Sequence, residues 1–213
     1  NPLNYNNIKY YGSQFEQASN RLSGLHIGYH YGDEELIRKY GSVEGSTIRV
    51  GQCTYQKVVL PSVITISLPV AQLLLSYVNN GGEIYTMGEK PHLIDGRAHP
   101  MLEQLLPHMQ ALETDDQLVM ALHTDEHPDI FSNGIANENI NCLIKRLEDG
   151  THLYYLVNLT RKVQTVSVKL SGMYSVDSVD LIEETEIPLK VDNDSGNTSF
   201  VLAFAPMQSY LLH

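Results

Sequence analysis

The chain has 213 residues, with 14 basic against 25 acidic side chains for a net charge of −11, two cysteines and no tryptophan. That length carries one large domain or two small ones. With Arg38-Lys39 and Arg161-Lys162 as its basic spots, it lacks the patch that phosphate neutralisation needs, which excludes nucleic acid as an expected partner. No apolar run reaches ten residues, too short for a helix to span a bilayer, and no basic-then-apolar leader opens the sequence, so no membrane partner is expected either. Residue 1 is Asn rather than Met, and the chain is expected to be a fragment or a processed product.

Residues 1–12, NPLNYNNIKYYG, are rich in Asn and Tyr without a period and predict a loop or an arm. Ser13 opens a predicted helix to Leu25, with Phe15, Ala18, Leu22 and Leu25 as its apolar positions and Glu16 completing a capping box. His26 to Tyr31 predicts a short strand. Glu34 to Tyr40 predicts a second helix, acidic at its start and closed by Arg38-Lys39, as the helix dipole favours. Thr47–Val50 and Cys53–Tyr55 predict a hairpin turning at Gly51-Gln52.

Lys57 to Met87 organises the rest. Val58, Val59 and Leu60 are apolar on both faces, the mark of a parallel strand covered on both sides. Val70, Leu73, Leu74, Tyr77 and Val78 fall on one helical face, Pro69 sits in the first turn, and Asn79-Asn80-Gly81-Gly82 ends the helix. Glu83 to Met87 is the next strand. Such a βαβ unit is right-handed and presents its ligand face beyond the strands' C-terminal ends, here Pro61-Ser62 and Gly88-Glu89-Lys90. Neither loop has a phosphate-cradling glycine pattern, so no cofactor is expected. Met101 to Met109 predicts a helix, and Asp115 to His123 fits helix or strand. From Asn139 onward seven short runs recur, at 140–147, 153–158, 163–170, 176–182, 186–191, 200–205 and 208–212, a pattern that argues for an antiparallel β-sandwich. The expected architecture is a parallel α/β domain over residues 1–126 followed by an all-β domain over 127–213. The first offers three parallel strands, 27–31, 57–60 and 83–87, too few for a complete doubly wound sheet, so upstream elements are expected.

Chemistry is harder to read. Tyr31 ends a predicted strand, Asp33 and Glu34 follow it, and Ser62 and Glu89 lie in the loops of the ligand face; these five are the candidate substrate contacts. A glycosidase needs two carboxyls roughly 5 to 9 Å apart across one bond, whereas adjacent residues at a helix start point different ways and the dipole explains them better. His123 and His127 would share a helical face, but Pro128 predicts a loop there, and no metal site is expected. No G-x-S-x-G elbow occurs, and Cys53 and Cys142 are expected to be inert thiols. Asn158, Asn193 and Asn197 head N-x-[ST] triplets, which arise often by chance. No residue is assigned a catalytic role.

Tyr31-Gly32-Asp33-Glu34, the Val43-Glu44-Gly45 turn, Ile48-Arg49-Val50-Gly51, Tyr55, Val58-Val59-Leu60-Pro61 and Gly81-Gly82-Glu83-Ile84 together resemble the region that follows the catalytic barrel in large bacterial glycoside hydrolases of the α-L-rhamnosidase-like kind. Leu153 to Asn158 and Ala205 to Tyr210 are similar to strands of the β-sandwich that comes next there. The resemblance covers roughly residues 25–213. It implies a flavodoxin-like domain, similar to the glutamine-amidotransferase fold and to the trimerisation domain of some β-galactosidases, then a sandwich. The family's catalytic carboxylates belong to the upstream barrel and the amidotransferase nucleophile is absent, so the implied role is a non-catalytic accessory region. It would support that barrel, its partner within the same polypeptide, or mediate homo-oligomerisation, with carbohydrate as the ligand class in view. The alternatives are a stand-alone carbohydrate-binding module using the sandwich tyrosines, and a small flavodoxin-like hydrolase.

Overall fold

The computed structural model describes residues 5–213; residues 1–4 of the expected arm lie outside it. The chain groups into two compact units, one made of the residues up to Ser19 with His30–Met120, the other of Asn20–Tyr29 with Ala121–His213.

The first helix, α1, spans Tyr5–Gly24, longer than the sequence predicts. The Asn/Tyr run is helical because Tyr11, Phe15, Ala18 and Leu22 continue one stripe, Ala18 and Leu22 buried, and Asn lowers helix propensity only modestly. Ser13 is therefore no cap; its hydroxyl donates to the Tyr10 carbonyl at 2.8 Å within the helix. The strand expected at 27–31 is absent: the segment is irregular, His26 has φ 57°, and the Gly28 N–H donates to the His127 ring instead of to a neighbouring strand.

In the first unit α2 (Glu34–Tyr40) leads into an antiparallel meander of β1 (Gly41–Glu44), β2 (Thr47–Val50) and β3 (Cys53–Tyr55). Then come β4 (Lys57–Pro61), the two-residue β5 (Thr65–Ile66), α3 (Leu68–Asn79), β6 (Glu83–Met87) and β7 (Leu93–Ile94), which pairs parallel to β5. α4 (Met101–Leu105) passes into a 3-10 turn, Leu106–His108, because Pro107 cannot continue an α-helix. The chain then forms a strand, β8 (Met109–Ala111), and a helix, α5 (Asp115–Leu122), which resolves the ambiguous stretch as helix. The parallel sheet runs in the order β4-β6-β8, Val58 opposite Ile84 and Ile84 opposite Met109; its third strand is thus 109–111.

α3 is fastened on the predicted face, with Val70, Ala71, Leu74, Tyr77 and Val78 buried against Ile48, Ile84 and Leu105. The Tyr77 hydroxyl donates to the carbonyls of Gln56 at 2.6 Å and Glu83 at 3.1 Å, tying the helix to the start of both strands it connects. Its ring leaves no room at Gly82, where a Cβ would stand 2.2 Å from the ring.

The second unit is a sandwich of two five-stranded antiparallel sheets. One holds β9 (Asp129–Ser132), β10 (Ile135–Ala136), β13 (Gln164–Ser171), β16 (Asp192–Asp194) and β17 (Asn197–Phe204) in the order β10-β9-β13-β17-β16. The other holds β11 (Ile140–Arg146), β12 (His152–Asn158), β14 (Asp177–Asp180), β15 (Thr185–Pro188) and β18 (Ser209–Leu212) in the order β11-β12-β18-β14-β15. Each of the seven predicted runs is one of these strands. The three others are short: β9 sits behind Pro128, β10 has two residues, and the acidic β16 turns back on β17 where a mere connection was expected. Ile130, Ile140, Leu156, Val166, Phe204 and Leu212 fill the space between the sheets.

Candidate functional site

The C-terminal ends of β4 and β6 bring two of the five candidates together. Ser62 follows β4, and its hydroxyl accepts the Glu89 N–H at 2.9 Å, while the Val63 N–H donates to the Glu89 carbonyl at 3.4 Å. The approach requires Gly88: its φ is 109° and a Cβ there would lie 2.1 Å from Ser62 Oγ. The Glu89 carboxylate accepts hydroxyls from neighbouring residues of α1, Tyr11 at 2.9 Å and Tyr10 at 3.3 Å. The hydrogen bond to Glu89 is the main cause that raises the Tyr11 phenol's pKa; for Tyr10 desolvation comes first and the Glu89 charge second. Beside them Asn7, Ile8, Tyr11 and Phe15 of α1 and Pro61–Thr65 line a shallow concavity of about 370 Å³. Tyr31 packs on Phe15, ring centroids 5.3 Å apart.

The other two candidates work on helix ends. Asp33 caps α2, accepting the Leu36 N–H at 2.9 Å. Glu34 reaches the start of α3, where its carboxylate accepts the Ser67 N–H at 3.1 Å; Asp95 takes the Leu68 N–H at 3.3 Å. Ser67 itself makes no capping bond, and among the described residues its buried hydroxyl has no partner. These two distant carboxylates therefore satisfy the first orphan donors of α3. Sequence reasoning missed Tyr10 and Tyr11, because residues 1–12 looked like an arm, and it read Phe15 as an apolar helix position without a place beside the loops; an aromatic repeat at helical spacing was the available signal.

Each of these carboxylates is thus engaged with backbone N–H groups or phenols.

In the second unit His123 and His127 stand with ring centroids 5.2 Å apart, in a turn rather than on a helix. His127 Nε2 accepts the Gly28 N–H at 3.0 Å, while Nδ1 lies 3.0 Å from the Thr124 backbone nitrogen and 2.9 Å from its hydroxyl, so both ring nitrogens are engaged within the protein. That occupies the lone pair a metal would use. Among the described residues no group of three or more His, Cys, Asp or Glu could hold a metal ion. Both cysteines are free; Cys53 is exposed, not buried, and burial pushes the Cys142 thiol up to about 12.

Burial lowers the pKa of His26, whose Nε2 faces the Asn137 carbonyl at 3.0 Å, and of His127, with His123 beside it adding to the effect. Both fold with pKa values below the unfolded value, so between the two values the unfolded chain binds more protons and stability falls with acidity. The sandwich unit is expected to hold its melting temperature above about pH 6.5 and to lose it as pH falls through the lowered values. His127→Gln should flatten that decline, and an unchanged profile from pH 7.5 to 5 would remove the two imidazoles from the account.

No family model matches the sequence, and no curated protein does. Among solved structures, a rhamnosidase from Novosphingobium sp. PP1Y matches with a TM-score of 0.68 at 14% identity, over 88% of this chain and 20% of that one. The apo exo-carrageenase GH42 from Bacteroides ovatus matches with a TM-score of 0.61 at 12% identity, over 94% and 26%. The chain therefore spans about a fifth to a quarter of these proteins. At such identities the shared property is the fold, one that occurs as part of larger glycoside hydrolases.

Proposed function

We propose that this chain is a non-catalytic accessory region of a bacterial glycoside hydrolase, α-L-rhamnosidase-like in kind, which buttresses the catalytic barrel of the same polypeptide or mediates its oligomerisation. The observation that carries the reading is the likeness to glycosidases of which the chain covers only 20% and 26%. The site's chemistry supports it: Glu34, Asp33 and Glu89 hold backbone or phenol groups in place, leaving a flavodoxin-like scaffold without its reaction. The binding-module alternative has less behind it, since Tyr154 is buried, Tyr210 packs edge-on against Phe204, and the open Tyr155 lies between Leu143 and Leu211 where a row of open aromatic faces would be needed.

Two measurements test the reading. The purified chain should hydrolyse aryl α-L-rhamnosides and aryl β-galactosides no faster than buffer, and enzyme-like turnover would overturn the proposal. The coding sequence upstream of Asn1 should continue in frame through several βα repeats; a start codon directly before Asn1 would equally sink it.

A further inference from the structure

The outward residues of β13 and β12 are not alike. On β13, Thr165, Ser167 and Lys169 point outward and alternate with buried Val166, Val168 and Leu170, the pattern of a face meeting water. On β12, Tyr154, Leu156 and Asn158 point inward, and the outward residues are Leu153, Tyr155 and Val157. Strand register extends this apolar character across the sheet: Leu143 lies opposite Tyr155, Tyr155 opposite Leu211, and Leu211 opposite Val179. Leu143 is 65% exposed and Tyr155 42%.

Charge flanks this row asymmetrically. One row along, Lys145 lies opposite Leu153 on the β11 edge, and three strands away Asp177 of β14 exchanges both backbone bonds with His213 at 2.9 Å. Among the described residues neither the Lys145 nor the Asp177 side chain has a hydrogen-bond or ion-pair partner. A two-fold axis along the strands, between β12 and β18, would lay β11 of one copy over β14 of the other. It places Lys145 against Asp177, Leu143 against Val179 and Tyr155 against Leu211, apolar on apolar and cation on anion, twice over. Two such sheets pack about 10 Å apart at roughly −30°.

We propose that the outer face of the β11-β12-β18-β14-β15 sheet binds a second copy of this chain in a two-fold dimer, centred on Tyr155 and Leu211 and oriented by Lys145–Asp177 pairs. The charge layout names the occupant, since an isologous interface must be its own complement. This deepens the oligomerisation arm of the accessory reading and rests on that reading for its purpose only.

Sedimentation equilibrium of the chain should show a species of twice its 23.9 kDa as concentration rises. Leu143→Glu, at a position open in the single chain, should leave the circular dichroism unchanged and weaken the dimer roughly a hundredfold by burying an unpaired charge. Lys145→Glu should weaken it roughly tenfold, and adding Asp177→Lys should restore it. A chain that stays at 23.9 kDa up to millimolar concentration overturns the proposal. A dimer indifferent to Leu143→Glu overturns the face, and a charge swap without rescue overturns the two-fold pairing. The glycoside assays are blind to all of these outcomes, so the two readings can fail separately.

Discussion

Leu74→Ala is expected to lower the stability of the α/β unit by about 2–5 kcal/mol. The side chain is 3% exposed and sits in one cluster with Val70, Ile48 and Ile84. Truncation removes the transfer energy of three carbons and leaves a cavity between α3 and the sheet, whose collapse Tyr77 opposes because its hydroxyl is fixed to two carbonyls. Gln72, on the exposed side of α3, supplies the control: Gln72→Ala should stay within about 0.5 kcal/mol. Urea unfolding followed by amide exchange in β4 and β6 reads the difference. A loss under about 0.5 kcal/mol for Leu74→Ala would mean that the helix presents another face.

Asn158→Ala is expected to cost the sandwich about 3–5 kcal/mol. Asn158 is fully buried and its amide is completely used. Nδ2 donates to the carbonyls of Lys162 at 2.8 Å and Ala205 at 2.9 Å, while Oδ1 accepts the Thr160 N–H at 2.9 Å and its hydroxyl at 2.8 Å. Truncation strands all four partners beside the end of β12. Asn158→Asp should be as damaging, since it turns an oxygen toward two carbonyl oxygens. Near-UV circular dichroism of the tyrosines during urea unfolding follows this unit. A cost below about 1 kcal/mol would show that the 159–163 loop finds other partners. The same bonds account for Asn158 heading an N-x-[ST] triplet without offering a free amide.

The sequence made the architecture legible where a strong period and burial coincide. α3 announced itself through one apolar face, β4 through an unbroken apolar run, and β11, β12, β13 and β17 through alternation between turn residues. It was silent where an element is defined by partners rather than pattern. β8 has three residues and exists because β6 offers it a parallel edge. The 27–31 segment alternates like a strand, yet its backbone is captured by the His127 side chain, a contact 99 residues away that no local window contains. The candidate site divides the same way. Ser62 and Glu89 were legible because βαβ geometry places both loops at the same ends of adjacent strands. The phenols that bind Glu89 were hidden in a stretch whose composition resembles a loop. Asp33 behaved as the dipole argument required, whereas Glu34 proved to hold a different helix from the one it starts.

That last contact bears on how little of this unit could stand by itself. α3 looks like the centre of a self-sufficient βαβ hairpin, but its first turn is held by Glu34 from 33 residues upstream and by Asp95 from 27 residues downstream. A peptide cut to the two strands and their helix would leave the leading amides of α3 bare. A piece that keeps both bonds reaches at least from Glu34 through Asp95, and the packing of α3 on Leu105 and the pairing of β6 with β8 carry it further, so the segment that appears most local in sequence opens and closes only with the whole stretch around it.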